Sequence, residues 1–459
     1  MKFLIRSDYG ESLALALRLM NEGNEVKFSI DEVKARDIGD GLVLKPPTFE
    51  GAIQWADIVV FDSNAGTLPQ EAERVRAVRP VVGSSALSLK LEEDRQYAMQ
   101  EASKAGLVVP DSKEFSGPRA WSKAREFIGS LRTKDAWVWK PNGEAPCQTY
   151  VADSAEELYR MLDYWKRLYE QAEETPSFIL TPKITGVEVS TEAWFNGHNF
   201  SLFNHTVERN RLFDRDRGEK TGCAGNVVWL SAGSRLGRDL LLPLAPLLQG
   251  KYNGPVDVNA IIDEKTNEPI FLEFTPRFGY DAIFAFMELI ENDMGGLLYA
   301  MATGHDWNGK VKEGFAGALR VHIPPFPEGH EGNPASNPSI GVPIFGFNPD
   351  KFNRHISPIE VKLDVDGDPV TSGPDGYVFV ISNTGDTPLQ AMEAAYKQSD
   401  QIRIPCKRHR ADLPESIQKV YDDLENTGWL ESESGQSDDT QVNFDLIVRN
   451  AYATRRSSF

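Results

Sequence analysis

The chain has 459 residues, more than one ordinary hydrophobic core supports, so about three packed units are expected. Hydrophobic residues make up 41% and charged residues 25%, a globular balance, while a formal net charge of -19 argues against a nucleic-acid duplex or an anionic membrane as a standing partner. The three cysteines, Cys147, Cys223 and Cys406, are too scattered for a disulfide framework or a zinc site, and neither a signal peptide nor a membrane-length apolar run is found, so a cytoplasmic location is expected.

In chain order, Phe3 to Ile5 reads as a strand, and Leu13, Leu17 and Met20 then recur at helical spacing before Gly23. Val26 to Ile30, Ile58 to Phe61 and Val81-Val82 are further strands, the βαβ rhythm of a parallel sheet. One helical stripe is predicted through Leu91, Arg95, Ala98, Ala102 and Ala105, stopped by Gly106 and Pro110. Residues 112 to 182 read as a small α/β unit, with a strand over Ala136 to Lys140, a capping box at Ser154-Ala155-Glu156-Glu157 opening a long helix, and an exit strand over Phe178 to Thr181. Antiparallel pairs follow: Val187 to Phe195 with Asn199 to Phe203 around Asn196-Gly197, then Val256 to Ile262 with Ile270 to Phe274. Further on come a strand near Tyr377 to Ile381 and a helix opened by Thr387, Pro388 and Gln390. Ten acidic residues against one basic between Ala411 and Asp445 predict a solvated helix and a flexible tail.

The stretches Val256-Asp257-Val258-Asn259 and Leu272-Glu273-Phe274-Thr275 carry the most chemistry. Side chains two apart share a strand face, so Asp257 groups with Asn259 and Glu273 with Thr275, while Val256, Val258, Leu272 and Phe274 are expected on the apolar face. The polar set is either an ordinary solvated sheet face or a ring of hard oxygen donors for magnesium shared with phosphates. Lys140 before Pro141-Asn142-Gly143 either snorkels into water or holds a phosphate beside a turn. Arg95 on a core-facing stripe needs an anion, a structural carboxylate serving as well as a ligand. Glu188, Ser190, Glu192 and Trp194 share one face of the first hairpin, solvated or turned to ribose hydroxyls. Lys220 to Gly225 is a small-residue loop that lets backbone approach a ligand, and the seven histidines show no metal-ligand spacing.

The order of these features resembles the ATP-grasp superfamily, and within it glycinamide ribonucleotide synthetases (phosphoribosylamine–glycine ligases), over nearly all of residues 1 to 410. Leu91-Glu92-Glu93-Asp94-Arg95 with Gly106 to Pro110 resembles the family's LEGSK helix and GIP ending, and Trp139-Lys140-Pro141-Asn142-Gly143 its VKADG strand. Thr185 to Ser190 resembles DGEEAS, Thr221 to Gly225 resembles TGGMG, Glu273 to Gly279 resembles EFNxRFG, and Gly385-Asp386-Thr387 resembles GDT. The chain departs at Arg95, where the family has Lys, at Thr275, where it has Asn, and in a short loop Glu144-Ala145-Pro146-Cys147-Gln148. Gly10-Glu11-Ser12-Leu13-Ala14 stands for GGREHA and Tyr280-Asp281-Ala282 for DPE.

The resemblance implies an α/β fold with α+β elements: an N-terminal parallel-sheet domain and linking helix (1–111), a mobile lid (112–184), an ATP-grasp core (185–314), a C-terminal mixed domain (315–412) and an acidic helix and tail (413–459). It implies ATP and Mg2+ (or Mn2+) as cofactors, with Arg95 and Lys140 on the phosphates, Thr181, Pro182, Lys183 and Ile184 as the adenine hinge, and Glu188 on the ribose. Glu273, Thr275, Asp257 and Asn259 would hold metal; Lys140 and Arg277 would be catalytic; and Gly10, Glu11, Thr221, Gly222 and Arg277 would meet substrate. The implied reaction joins glycine to phosphoribosylamine through glycyl phosphate, in a monomer or homodimer acting on small molecules. The alternatives are the same chemistry with another amino acid or amine acceptor, and a nucleotide-binding scaffold without catalysis.

Overall fold

Short apolar strands alternating with helices close first into a parallel sheet. In the computed structural model, which describes residues 1–143, 145–231, 233–330 and 336–431, this sheet has the order β2-β1-β3-β4, with β1 Lys2–Ser7, β2 Glu25–Ile30, β3 Ile58–Phe61 and β4 Val81–Val82. The acidic tail beyond residue 431 and Glu144 of the short loop lie outside the described residues. No helix among the described residues is long and apolar enough to cross a membrane.

The stripe expected from Leu91 to Ala105 is two helices, Ala86–Glu93 and Arg95–Lys104, broken at Asp94. Asp94 leaves the helical region at φ -89°, ψ 88°, and its carboxylate accepts from the Tyr97 N–H, which makes it a cap. Arg95 therefore opens a helix instead of sitting on a buried stripe, and its guanidinium is free to reach sideways. The first of the two helices carries a true reciprocal capping box, Ser85 with Ser88, that the sequence reading did not single out. At Ser154 and Thr387 the predicted boxes form by half: each hydroxyl accepts as expected, but Glu157 and Gln390 reach the N–H of Asp153 and Asp386, one residue earlier.

Residues 113 to 182 build a sheet and core of their own. Strands β5 Lys113–Ser116, β6 Trp137–Pro141, β7 Tyr150–Ala152 and β8 Ser177–Pro182 lie in the order β5-β8-β6-β7. The core is aromatic: Trp139 stacks on Trp165 at 4.2 Å between centroids and packs on Phe178 at 3.8 Å. Partly buried Ala145 and Cys147 rest against it.

The large sheet has eight strands in the order β13-β12-β9-β10-β11-β14-β18-β15. Its members are β9 Gly186–Phe195, β10 Phe200–Phe213, β11 Arg217–Leu230, β12 Gly254–Asp263, β13 Pro269–Thr275, β14 Phe315–His322, β15 Ile356–Pro358 and β18 Tyr377–Gly385. Two short strands, β16 Val361–Leu363 and β17 Pro369–Thr371, pair separately. The sheet thus draws strands from both sides of residue 314. The hairpin at Asn196-Gly197 closes through a four-residue loop, with Phe195 opposite Phe200 and Asn196 Oδ1 accepting from the N–H groups of His198 and Asn199.

One face of this sheet packs Val189, Ala193, Val256, Val258, Ala260, Phe271 and Phe274 against the helices Ala86–Glu93 and Arg95–Lys104. Leu272, expected there, is not part of that core. A β-bulge between Asn259 and Ala260 inserts Leu272 into β13, so Phe271 and Phe274 both keep the apolar face although they are three apart. The C-terminal helix Leu413–Glu425 is likewise not a solvated rod. Leu413, Ile417 and Leu424 are fully buried on the same sheet face, a stripe at helical spacing that the acidic count had hidden.

His205 on β10 is buried, with Nδ1 3.1 Å from Thr191 Oγ1 and Nε2 2.8 Å from Ser234 Oγ. Burial pulls its pKa from the ordinary 6.5 down to about 3. The unfolded chain takes up this proton at the higher value, so stability fully present above pH 6.5 is lost as the pH falls toward 3. By linkage the loss is about 2 kcal/mol at pH 5. Urea midpoints at pH 7 and pH 5 are expected to differ less in His205→Gln than in the parent; equal differences would refute the assignment.

Candidate active site

The polar face of β9, β12 and β13 is approached by the 113–182 unit, whose Lys140 Nζ reaches the Leu272 carbonyl on β13. Register sets Asp257 opposite Thr275 and Glu192, and Asn259 opposite Glu273 and Ser190, so the pairing by strand parity holds. Trp194 has the same parity but is covered by Phe278 and Phe286, its ring stacked on Phe286 at 5.2 Å.

Three cations from different parts of the chain converge on Glu273. Arg95 Nη1 donates to Glu273 Oε2. Lys140 Nζ donates at 3.3 Å to the carbonyl of Leu272, the residue that the bulge inserts into β13. Lys220, carried in by β11, lies in the same electrostatic group with Glu188. Burial opposes ionisation of Glu273, but Arg95, Lys140 and Lys220 outweigh it and bring its pKa down to about 2. Burial pulls the Lys140 ammonium down to about 8; Glu273 and Glu188 oppose this, and Arg95 and Lys220 add to it. Three cations facing two carboxylates leave a positive excess in a partly dry cleft, the electrostatic condition for an anionic ligand.

The expected metal donors share the face but differ in freedom. Asn259 is tied down, its Nδ2 donating to Thr275 Oγ1 at 3.3 Å and its Oδ1 accepting from Ser190 Oγ. Asp257 sits deeper, its pKa raised by burial and by the charges of Glu192 and Glu208, and its Oδ1 has no hydrogen-bond partner. Among the described residues no group of three or more His, Cys, Asp or Glu side chains is arranged to hold a metal ion. The oxygens of Glu273, Asn259 and Thr275 therefore fit an ion only as a partial donor set, completed from elsewhere, as phosphate oxygens would do.

Arg277 leaves β13 toward the N-terminal unit. Glu92 Oε1 accepts from its Nε at 2.9 Å and the Phe278 carbonyl from its Nη1 at 3.0 Å, while its guanidinium lies 4.2 Å from the Tyr280 ring centroid. Glu92 is itself held by Asn64 Nδ2 at 2.8 Å. Beyond Tyr280 a small pocket is lined by Glu11, Ser12, Asp62 and Phe278, so the segments after Gly10 and after Gly279 meet although 269 residues apart in chain numbering (280 less 11).

Not every expected residue takes part. Gly10 is a turn residue at φ +91°, its N–H held by Ser7 Oγ, and it does not line the pocket. Lys183 turns its side chain outward, the ammonium 2.6 Å from Asp153 Oδ1, and its N–H bonds to Ala136 O. Thr221 places its hydroxyl 3.3 Å from Asn210 O and its carbonyl on Arg320, and Gly222 follows at φ +77° with open space where a Cβ would stand. The sequence reading did not single out Glu92, Glu208 and Asp62, and it read Lys220 only as the first residue of the small-residue loop, without a charge role. Glu92 had a signal, lying in the motif that carries Arg95.

Arg320 and Asp281 form a buried pair behind that loop, at 2.9 and 2.7 Å, with the Tyr377 hydroxyl on the same carboxylate. Asp281→Ala leaves the guanidinium buried without its partner and is expected to cost about 3–5 kcal/mol. A denaturant midpoint within error of the parent's would show that the pair is dispensable.

No family model matches the chain. It is similar to the phosphoribosylamine–glycine ligase of Streptomyces coelicolor, 23% identical over 369 residues that cover 78% of this chain and 83% of that one. Among solved structures it is similar to the phosphoribosylamine–glycine ligase of Thermotoga maritima, with a TM-score of 0.69 at 21% identity, covering 90% of this chain and all of the other. It is also similar to the biotin carboxylase domain of Hydrogenobacter thermophilus 2-oxoglutarate carboxylase, a structure in complex with MgADP, with a TM-score of 0.61 at 13% identity and coverage of 93% and 95%. The fold is that of the ATP-grasp enzymes. In sequence the chain is similar to phosphoribosylamine–glycine ligases at 21–23% identity over most of its length.

Proposed function

We propose that this chain is an ATP- and magnesium-dependent ligase that activates a carboxylate as an acyl phosphate and joins it to an amine. The observation that carries the reading is the convergence of Arg95, Lys140 and Lys220 on Glu273 in one cleft, with Arg277 between that cleft and a second pocket.

The substrate carboxylate oxygen attacks the γ-phosphorus of ATP, the bond to the bridging oxygen breaks, and ADP leaves. The amine nitrogen then attacks the acyl carbonyl, the C–O bond breaks, and inorganic phosphate departs with the nitrogen's proton. Arg95, Lys140 and Lys220 would hold the phosphates and offset their growing charge. Glu273, with Asn259 and Thr275, would hold magnesium, which when bound neutralises phosphate oxygens. Glu188 would face the ribose, with Thr181, Pro182 and Ile184 near the base. Arg277, its guanidinium fixed by Glu92, would steady the acyl phosphate. The unit at 112–184 would act as the lid that keeps water from this intermediate.

Glycine as the acid and phosphoribosylamine as the amine is the finer reading that the similarity to the named ligases supports. A second reading, the same chemistry with another acceptor, is favoured by the segments after Gly10 and after Gly279, which depart from the family's motifs where they meet. The test is ADP release with MgATP, amino acids and hydroxylamine, which traps an acyl phosphate as a hydroxamate. Hydroxamate formed in step with ADP is expected. ATP binding without ADP release for any acid would favour a non-catalytic scaffold.

A further inference from the structure

Three stretches far apart in the chain enclose a pocket of about 500 Å³: the end of the helix Leu13–Asn21, Asn292, and the loop 346–356. That volume suits a small organic molecule. None of the residues placed around Glu273 lines it, and its charged lining is Arg18, Lys351 and Arg354, with no carboxylate.

The free polar groups of this lining are donors. Asn348 and Asn353 each accept a backbone N–H at Oδ1, from Asp350 and His355, both at 3.0 Å, which leaves Nδ2 without a partner among the described residues. Lys351 is exposed, and its ammonium makes no ion pair among the described residues. Arg18 and Arg354 each donate from Nη2 to the same two carbonyls, Ile290 at 2.9 Å and Glu291 at 3.0 Å. Arg18 is further neutralised by Glu22 at 2.6 Å. Arg354 has only a 3.5 Å contact from Nε to Glu288 and nothing on Nη1 among the described residues. Glu288 is held through its other oxygen by His355 Nδ1 at 2.8 Å and Ser382 Oγ at 2.9 Å. Burial lowers the pKa of Arg354 and the charge of Arg18 adds to this, with Glu288, Glu22 and Glu291 opposing, yet a guanidinium stays protonated. An anion in the pocket would relieve this crowding of positive charge.

The form of the anion follows from which donors are left. With Nη2 on carbonyls and Nε beside Glu288, Arg354 has no two-pronged edge for a carboxylate. Single donors on four side chains suit a tetrahedral phosphate better. An adjoining hollow is walled by Leu17, Met20, Met287 and Phe347, room for an apolar body, and Asp350 on its rim disfavours a second phosphate there. We infer that this pocket binds a phosphate monoester with a neutral apolar body, its phosphate on Arg354, Lys351, Asn348 and Asn353. The site is separate from the Glu273 cleft and binds whether or not the chain is a ligase.

The test reads calorimetric binding and hydrogen exchange of residues 346–356 in the full chain, with phenyl phosphate as probe and inorganic phosphate and benzoate as comparisons. Phenyl phosphate is expected to bind with a Kd below about 1 mM, roughly tenfold tighter than either comparison. At about ten times its Kd it is expected to slow exchange in that segment about tenfold. Lys351→Glu sets a carboxylate against the phosphate and is expected to weaken binding about tenfold, with the thermal midpoint unchanged because the side chain is exposed. Arg354→Gln is expected to weaken it by at least about tenfold. Lys220→Ala, in the Glu273 cleft, is expected to leave the protection of 346–356 intact. Benzoate or inorganic phosphate binding as tightly as phenyl phosphate, no protection of 346–356, or protection lost in Lys220→Ala but kept in Lys351→Glu would overturn the inference. ADP release, which tests the ligase reading, is independent of all these outcomes.

Discussion

Glu273→Ala is expected to lower ADP formation on the order of a thousandfold while leaving the protein folded and able to bind nucleotide. Arg95, Lys140 and Lys220 all favour the ionised form of this carboxylate, and it offers two oxygens where the Asn259 side chain offers one that already accepts from Ser190 Oγ. Removing it takes away the principal donor for a divalent ion but none of the cations. Binding of ADP in the presence of a chelator should therefore persist within about tenfold, since the attraction to phosphate is retained. The side chain is 41% exposed, so solvent screens its attraction to the cations and limits the stability lost on truncation. Near-normal ADP release from this variant would contradict the site assignment. Loss of chelator-resistant ADP binding would mean instead that Glu273 shapes the cleft.

Arg277→Lys is expected to lower kcat about a hundredfold with little change in the midpoint of thermal unfolding. The guanidinium is fixed by three contacts: Nε on Glu92, Nη1 on the Phe278 carbonyl, and its plane near the Tyr280 ring. An ammonium is a single point charge and cannot keep those contacts while offering a second edge to the reacting phosphate. Burial lowers the pKa of Arg277, but the charge of Glu92 overcomes this and holds it above the ordinary arginine value. Glu92→Gln should accordingly produce a smaller fall of about tenfold by loosening the same group. Activity within twofold of the parent for Arg277→Lys would show that Arg277 is only a packing element.

How much of this was legible in the chain depends on the range of the cause. The strands Ile58–Phe61 and Val81–Val82 coincide with their predicted ends because turn residues and apolar runs act over a few positions. Asp257, Asn259, Glu273 and Thr275 fell on one face because strand parity is local, and the bulge at Leu272 shifts parity only on its far side. That bulge was not legible, because it arises from the need to bury both Phe271 and Phe274 against a partner strand. The break at Asp94 was missed because a periodic stripe can be shared by two helices. The C-terminal helix was misread because charge counts ignore which face carries Leu413, Ile417 and Leu424.

By itself the sequence determined the chemical inventory: a strand-end Lys140, an arginine at position 95, Glu273 two residues before Thr275, and the order that relates them to ATP-grasp proteins. Only the tertiary structure decided which of these meet. It joined Lys220 to the cations around Glu273, seated Arg277 on Glu92, and brought Glu11 beside Asp62. Such meetings depend on strand pairing and packing between segments far apart in the chain, and Coulomb interactions act across space without regard to sequence distance.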